Sequence, residues 1–474
     1  MNQWRERTSQ AGSDPESALR LVLAAVVWMM VLPVCLPDSY SYSGPMNDAG
    51  EDNPLRRGLW LLTLLISSGV LLMRLPLAGR ILRQVNVFYW LWLVLALGST
   101  TWSIDPEFTV RKLVRLTIMC TAFLAVALGS WEPRRFQQLL RPVLTFIVIA
   151  SIVFSLGWPE LALHHEPFPE LINAWHGICL TKNQLGAAAS FACILWVHAW
   201  ITRETRRIWA FLGAGAALLC LVMSRSQTSL IASLLGSAAI VLMLRRSTLK
   251  RRHAPLIIGV LAGILLLFAL AMLKVIPGLE IVLAPIPWIT GKDLTFSNRA
   301  QIWAVVIEHV RYRPLFGSGY GAFWLANDPT PDKESFYVLG RLNGLYPGSS
   351  HNGYLQVLND LGAVGLIFLL AYIFVFFRQS LRLYKIDPVQ GALFIGLLVQ
   401  QVAINMEEPN WLNSIVVDFV PMSVATTCLA RALIEAKPRS QVRSNRGVMG
   451  TARRATTRSI DPTCGTGKTP CASG

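Results

Sequence analysis

Long apolar segments alternate with short polar ones along the chain. A helix needs about 17 to 25 apolar residues to cross a hydrocarbon core of about 30 Å, and the sequence contains twelve runs of this kind. The predicted spans lie near residues 20–37, 58–75, 84–101, 113–130, 141–158, 183–202, 208–224, 227–244, 255–273, 354–377, 388–406 and 412–432. The pattern therefore predicts an all-α polytopic membrane protein with about 12 transmembrane helices.

Two places in this pattern are less regular. The run 84–101 has polar ends, and only the turn "SRSQ" separates the runs 208–224 and 227–244. Composition supports the membrane class, because 53% of the 474 residues are hydrophobic and only 15% are charged. This apolar share exceeds that of ordinary soluble chains.

Basic residues collect in alternate connections between the predicted spans. Most of the 43 Lys and Arg residues lie near the N terminus, in the connections 74–84, 133–141, 203–207, 245–252 and 378–385, and in the C-terminal tail. Short cytoplasmic loops retain Lys and Arg, so both tails are predicted to be cytoplasmic. The net charge of +16 is then a topology signal, and no nucleic acid partner is predicted.

The predicted spans divide the chain into five segments. These are a cytoplasmic tail at 1–19, helices at 20–273, a large non-cytoplasmic loop at 274–353, helices at 354–432, and a cytoplasmic tail at 433–474. The last segment is rich in Arg, Ser, Thr, Gly and Pro, a composition typical of disorder. Its "GTGKT" does not match a phosphate-binding loop, because Pro462 stands where the first glycine is required.

The large loop is long enough to contain short helices. Its segment "RAQIWAVVIEHV", residues 299–310, has apolar residues at helical spacing. This pattern predicts an amphipathic helix that lies at the membrane interface. The helix is expected to end before Pro314.

The segment "RPLFGSGYGAFW" follows this helix. Its glycines suit a tight turn with a close backbone approach, and its aromatic residues suit the lipid headgroup level. The glycines are Gly317, Gly319 and Gly321, and the aromatic residues are Tyr320, Phe323 and Trp324.

The same loop is basic on the side where positive charge is normally depleted. Its cations are Lys274, Lys292, Arg299, Arg311, Arg313, Lys333 and Arg341. Solvated loop charge and lipid headgroup contact explain any one of them. For the set, an anionic substrate is the sharper hypothesis, because Arg presents a fork of donors that matches phosphate.

Five motifs together resemble a known family. They are "GICLTKNQLG", "SRSQTS", "DLTFSNRAQIW", "RPLFGSGYGAFW" and "SSHNGYLQVLNDLGAVGL". They look like the O-antigen ligase and polysaccharide polymerase superfamily, and are most similar to exopolysaccharide repeat-unit polymerases. The resemblance covers about residues 175 to 370, and its most specific motif is the last.

The resemblance implies a reaction and its setting. Such proteins transfer a glycan from undecaprenyl pyrophosphate to an acceptor glycan hydroxyl, at the periplasmic face of the bacterial inner membrane. No nucleotide sugar, other cofactor or metal is implied. The implied partners are the carrier-linked glycan, the acceptor glycan and membrane lipid, with a chain-length regulator and a flippase as further candidates.

The resemblance also implies site residues. Arg299 matches the family arginine before the Ile-Trp pair, and His351 matches the family histidine at the start of the late span, so both are predicted to be catalytic. The chain departs from the family at Asn298, Thr181 and Gln227. The predicted substrate-binding residues are Lys182, Asn183, Arg225, Arg313 and Asn352.

The chemistry of these residues leaves alternatives open. A neutral imidazole at His351 can take the proton of a sugar hydroxyl, whereas the structural alternative is a cap on the tenth span. Lys182 and Arg225 lie at span ends, where snorkelling explains them equally well. Asn352 is expected to position either the acceptor or the loop.

Other polar residues are weaker candidates. Asp360 and Asp418 lie within predicted spans, where an acid is a functional candidate by default. The adjacent pair His164 and His165 is weak support for a metal site, and none is predicted.

Three functions remain open. The first is a polymerase that joins repeat units, and the second is a ligase that transfers glycan to lipid A core. The third is a flippase or transporter of the same lipid-linked glycans, a class that tends to show internal repeats and midplane polar groups. The chain shows no convincing repeat, so an enzyme is the preferred prediction.

Overall fold

The computed structural model describes residues 15–37, 40, 53–165, 171–244, 299–324, 331–344, 346–414 and 416–436. Within these ranges the chain is helical, and the β-type pairing is a single isolated bridge between Leu163 and Trp175. The predicted all-α class is confirmed for these residues. The span 255–273, the basic segment 245–252, the cations Lys274 and Lys292 and most of both tails lie outside them.

The longer helices are labelled here in chain order. They are α1 Pro15–Cys35, α2 Pro54–Met73, α3 Leu75–Gln84, α4 Val87–Gly98, α5 Pro106–Ala127, α6 Arg135–Gly157, α7 Lys182–Thr202, α8 Arg207–Met223, α9 Gln227–Leu244, α10 Arg299–Val310, α11 Gly353–Ile386, α12 Pro388–Ile404 and α13 Phe419–Glu435. Each predicted span outside 255–273 coincides with one of these helices.

Several helices have the length and apolarity of membrane spans. Among the described residues, six meet both criteria, namely α1, α2, α6, α7, α9 and α11, and the bent pair α3 and α4 is a seventh candidate. Helices α8 and α12 are apolar but shorter. These helices support a helical membrane protein, while the total of twelve spans and the sidedness of the loop stay predictions.

The basic connection 74–84 is a helix rather than a loop. Helix α3 meets α4 at an angle of 98°, and Arg74 at the start of α3 forms an ion pair with Glu16. The bend occurs where Asn86 caps α4 and donates to the carbonyl of Tyr372 at 2.8 Å. This capping residue explains the polar end of the predicted run 84–101.

Small residues allow the central helices to approach closely. A Cβ atom on Gly236 of α9 would lie 2.8 Å from the carbonyl oxygen of Gly396 of α12, and the converse distance is also 2.8 Å. Similarly, a Cβ atom added to Gly186 of α7 would lie only 2.8 Å from the Cβ atom of Ser226. Small residues at helix crossings are typical of packing within membranes.

Helix α11 is interrupted at Gly362, which has φ 66° and ψ −166°. The segment that follows α10 occupies the interruption. Ser318 N donates to Asn359 O at 2.9 Å, and Ala363 N donates to Pro314 O at 2.8 Å. The predicted close approach is therefore confirmed, and its partner is the broken helix.

The aromatic residues of this segment face protein rather than lipid, and their level in the membrane stays a prediction. Tyr320, Phe323 and Trp324 are only 5%, 0% and 3% exposed. Phe323 and Trp324 pack against the apolar face of α10 and against Leu355. The predicted helix at 299–310 is confirmed, but its apolar face is covered by protein, because these aromatic rings and α11 supply the contact surface.

Candidate functional site

Arg299, the first residue of α10, contacts two adjacent carboxylates. Its Nη1 atom lies 2.9 Å from Oε2 of Glu407, and its Nη2 atom lies 3.6 Å from Oε1 of Glu408. Both acids belong to the connection between α12 and α13. The guanidinium is thus held at a fixed position by two charged partners.

Two further helices begin beside these acids. The side chain of Asn183, in the first turn of α7, donates from Nδ2 to Oε1 of Glu408 at 2.8 Å. The hydroxyl of Thr228, in the first turn of α9, donates to the carboxylate of Glu407. Ends of α7, α9, α10 and α12 therefore meet at one polar cluster, formed by Arg299, Glu407, Glu408, Asn183 and Thr228.

The start of α11 is fastened to the same connection. Asn352 is the N-cap of α11, and its Oδ1 atom accepts from the amides of Tyr354 and Leu355. Its Nδ2 atom donates to Met406 O at 3.0 Å, and Gly353 N donates to Asn405 O at 2.9 Å. These contacts support the loop-positioning alternative for Asn352, and its contact with an acceptor stays a prediction.

His351 precedes this cap and has a left-handed backbone with φ 46°. The cap of α11 is Asn352, so the alternative in which His351 itself caps the helix is not supported. The Nδ1 atom is buried and has no hydrogen-bond partner within the described parts of the chain. Burial, followed by the positive charge of Arg299, lowers the pKa of His351 to about 4. The imidazole is therefore neutral at physiological pH.

Helix α10 links the arginine to the histidine segment. The indole Nε1 of Trp303 donates to Ser350 O at 3.0 Å, and Trp303 is 4% exposed. Trp303 thus holds the backbone immediately before His351. This contact gives a physical reason for the tryptophan of the Ile-Trp pair.

Glu408 is the more buried of the two acids, with a side chain that is 10% exposed against 22% for Glu407. Burial raises the pKa of Glu408 to about 7, and the charge of Arg299 opposes this rise. Lys182 also lowers this pKa, so its charge acts on the polar cluster. Glu408 can therefore exchange a proton near neutral pH.

The other predicted cations lie elsewhere. Arg225 is exposed and has φ 51° in the turn between α8 and α9. Arg313 forms an ion pair with Glu334 at 3.2 Å. Within the described residues, neither forms an ion pair or hydrogen bond with Arg299 or its acids. Their predicted contacts with substrate stay predictions.

Sequence reasoning missed Glu407 and Glu408. They stand in "NMEEPNW" between the last two predicted spans, on the side predicted to be non-cytoplasmic. Two adjacent acids in so short a connection, opposite a predicted phosphate-binding arginine, were a usable signal. The quoted family motifs end before this connection, so the resemblance assigned it no site residue.

Asp360 lies beside the interruption of α11. Its carboxylate accepts from Gly321 N at 3.1 Å and from Nε2 of Gln356 at 3.1 Å. The carboxylate also lines a small cavity with Lys112 and Trp411. Through these contacts Asp360 holds the turn that contains Gly317, Gly319 and Gly321, called here the glycine turn, against α11. Asp418 accepts from Nδ2 of Asn410 at 2.6 Å.

His164 and His165 do not act together. The Nε2 atom of His164 accepts from Lys182 N at 3.3 Å, so His164 supports the start of α7. His165 instead contacts the carbonyl of Glu160 at 3.1 Å.

Comparison with known proteins supports the resemblance read from the motifs. Residues 212–370 match a protein family described as "O-Antigen ligase". The chain is also 24% identical over 361 residues to the "Exopolysaccharide production protein ExoQ" of Rhizobium meliloti (strain 1021), covering 72% of this chain and 75% of that protein. The matched family region contains Arg225, Arg299 and His351 and ends before Glu407. The chain therefore resembles the O-antigen ligase and polysaccharide polymerase superfamily, as its motifs predicted.

Proposed function

We propose that this protein is a membrane glycosyltransferase that polymerises lipid-pyrophosphate-linked oligosaccharide repeat units at the periplasmic face of the bacterial inner membrane. One observation carries the proposal. Arg299 is held by two carboxylates at the point where helix ends meet, and it acts on the pKa of a neutral histidine whose Nδ1 atom has no hydrogen-bond partner among the residues that the structure describes.

Arg299 binds the pyrophosphate of the carrier. A guanidinium offers parallel N–H donors to phosphate oxygens, and such charge-assisted pairs are stronger than neutral hydrogen bonds. In the absence of substrate, Glu407 and Glu408 keep the fork oriented. The pyrophosphate replaces one or both carboxylates, and protonation of Glu408 near neutral pH makes this exchange easier.

His351 takes the proton of the acceptor. The acceptor hydroxyl oxygen forms a bond to the anomeric carbon of the donor sugar, and the bond from that carbon to the pyrophosphate oxygen breaks. The leaving oxygen keeps the electron pair and is stabilised by Arg299. The hydroxyl proton goes to Nδ1 of His351.

Substrate binding itself makes His351 a better base. In the free protein, burial and Arg299 keep its pKa near 4, which is low for a base that acts at neutral pH. Bound pyrophosphate brings negative charge beside Arg299 and offsets the lowering of the His351 pKa that Arg299 causes. A nearby opposite charge raises the pKa of an imidazole, so the base strengthens when the donor is in place.

A ligase that transfers glycan to lipid A core is the second candidate. The description of the matched family favours it. Arg299 and His351 have the same roles in both reactions, because only the acceptor differs.

Deletion of the gene separates these functions. The surface glycan and the carrier-linked pool are sized together in the deletion strain and after complementation. Single carrier-linked repeats exposed on the periplasmic face support the polymerase. Long carrier-linked chains that fail to reach lipid A support the ligase. Repeats retained on the cytoplasmic face would contradict both and indicate a transporter.

A further inference from the structure

Two cysteines that are far apart in sequence lie side by side. The Sγ atoms of Cys35 and Cys179 are 3.0 Å apart, and both residues are 0% exposed. Cys35 is the last residue of α1, and Cys179 lies shortly before α7. Their separation of 144 positions explains why their spacing in sequence gives no sign of a pair.

Hydrogen bonds hold together the two chain segments that contain the cysteines. Leu180 N donates to Cys35 O at 3.0 Å, and the hydroxyl of Tyr40 donates to Ile178 O at 2.7 Å. These hydrogen bonds hold the end of α1 against the segment 178–180 without help from the thiols. The positions of the two side chains are thus set by main-chain contacts, which is the preorganisation that a disulfide requires.

Two other cysteines in the described residues have oxygen atoms as their hydrogen-bond partners instead. The Sγ atom of Cys120 lies 3.6 Å from the hydroxyl of Tyr89, and that of Cys220 lies 3.6 Å from Val148 O. Among the sulfur atoms described, the pairing of Cys35 with Cys179 is the one close enough for a bond.

We propose that Cys35 and Cys179 form a structural disulfide. Both lie at helix ends predicted to be non-cytoplasmic, and oxidising conditions outside the cytoplasm allow disulfides to persist. The inference depends on this sidedness and not on the identity of the glycan reaction. The oxidant is the disulfide of an extracytoplasmic dithiol oxidoreductase.

The bond forms by thiol–disulfide exchange. One cysteine thiolate attacks the oxidant disulfide and gives a mixed disulfide, releasing one oxidant thiolate. The second cysteine thiolate then attacks the substrate cysteine sulfur of that intermediate and displaces the other oxidant sulfur. Two protein thiols are oxidised, one oxidant disulfide is reduced, and two protons pass to the released thiolates. Because both cysteines are buried in the folded chain, the exchange takes place as the chain is inserted and folds.

The disulfide supports the polar cluster. Thr181, the N-cap of α7, lies two residues after Cys179, and Asn183 donates to Glu408 at 2.8 Å. The carbonyl of Cys179 also lies 3.0 Å from Nδ1 of His176. A covalent link to α1 fixes the start of α7, and with it the hydrogen bond that Asn183 makes to Glu408.

Thiol counting tests the proposal on the full-length protein. The protein is taken from membranes into acid, denatured, and labelled with a mass-tagged maleimide before or after reduction. Of its eight cysteines, we expect six to react before reduction and all eight after it. Cys35→Ser and Cys179→Ser should each show seven reactive thiols in both conditions. The control Cys120→Ser should retain the two-thiol difference.

Other results would overturn the inference. Eight reactive thiols before reduction would mean that the bond is absent, and a two-thiol difference that persists in Cys35→Ser would place it elsewhere. The two single variants and the double variant should show the same lowering of thermal stability, by several degrees. These results do not depend on polymer synthesis, so failure here is distinct from failure of the proposed function.

Discussion

At the residue scale, the geometry of Arg299 matters as well as its charge. Lysine would keep the positive charge but lose the fork of N–H donors whose hydrogen bonds Glu407, Glu408 and phosphate oxygens accept. We expect Arg299→Lys to lower polymer formation by a factor on the order of 10², the range for loss of one transition-state donor. The measurement is polymer yield at matched protein abundance.

Arg341→Lys is the matched control for this substitution. Arg341 lies in the same loop, and its side chain is 57% exposed in an ion pair with Glu308. An exposed pair of this kind contributes little, so the control should retain activity. Full activity in Arg299→Lys would mean that Arg299 is a solvated loop charge with no specific role in substrate binding.

Glu408 predicts a pH dependence of carrier binding. Burial raises its pKa to about 7, so the carboxyl is mostly protonated below that pH and mostly charged above it. A charged Glu408 competes with pyrophosphate for Arg299, and the carrier pyrophosphate, a diester, does not titrate in this range. We therefore expect KM for the carrier-linked donor to rise as the pH increases through about 7.

The variant Glu408→Gln should remove this dependence. Glutamine stays neutral at every pH and keeps a side-chain oxygen for the N–H of Asn183. KM in this variant should be nearly constant between pH 6 and about pH 8. The same rise in KM in wild type and variant would assign the titration to another group.

Only part of this site could be predicted from sequence. Arg299 and His351 stand in motifs, and a neutral imidazole at His351 was part of the prediction, but its main physical cause, burial, follows from packing that the motif does not show. The capping role of Asn352 fits its residue type, but its bond to Met406 joins positions 54 apart. Contacts over such separations follow from tertiary packing, which local patterns do not specify.

At the element scale, the interruption of α11 controls how the glycine turn meets the bundle. Gly362 has φ 66°, and an added Cβ would lie 2.2 Å from the carbonyl carbon of Leu315. The strained backbone alone costs about 1–3 kcal/mol in a non-glycine residue, and the clash adds to it. We expect Gly362→Ala to lower severalfold the yield of monodisperse protein in detergent, measured by size-exclusion chromatography.

Gly69→Ala in α2 serves as the control. An added Cβ there meets nothing within 4 Å, so the yield should match wild type. Equal yields for Gly362→Ala and wild type would mean that the turn does not need its close contact with α11.

The helices were predictable from apolar runs, but this interruption was not. Gly362 stands inside the predicted span 354–377, and the pattern of apolar residues does not distinguish it from a helical glycine. The burial of Tyr320, Phe323 and Trp324 in protein was missed for a related reason. Aromatic residues suit both a membrane interface and a protein core, and only the position of α10 and α11 decides between them.

At the scale of the whole molecule, the proposed reaction requires the polar cluster to face the periplasm. The helix ends that meet there are those that the distribution of basic residues predicts to be non-cytoplasmic. A reporter fused after Ser335 should therefore report the periplasm, and one fused after Arg251 should report the cytoplasm. Both reporters on one side of the membrane would contradict the topology and the placement of the site.

The position of the cluster also bears on the transporter alternative. Transporters place substrate and ion sites near the bilayer midplane, where discontinuous helices meet. Here Arg299 and Asn183 lie at helix ends and Glu407 lies shortly after one, and the backbone at the interruption in α11 is hydrogen-bonded to the segment after α10. This arrangement favours chemistry at a membrane surface.

The measurement that tests the central claim most directly is chain elongation by His351→Ala in membranes, at protein abundance matched to wild type. A general base contributes about 10²–10⁴ in rate, so we predict a loss of elongation of that order while carrier binding is retained. His351→Gln should also lack elongation, because an amide does not take up the proton. Normal polymer from His351→Ala, or a loss that merely follows lower abundance, would show that His351 is structural and that the catalytic assignment is wrong.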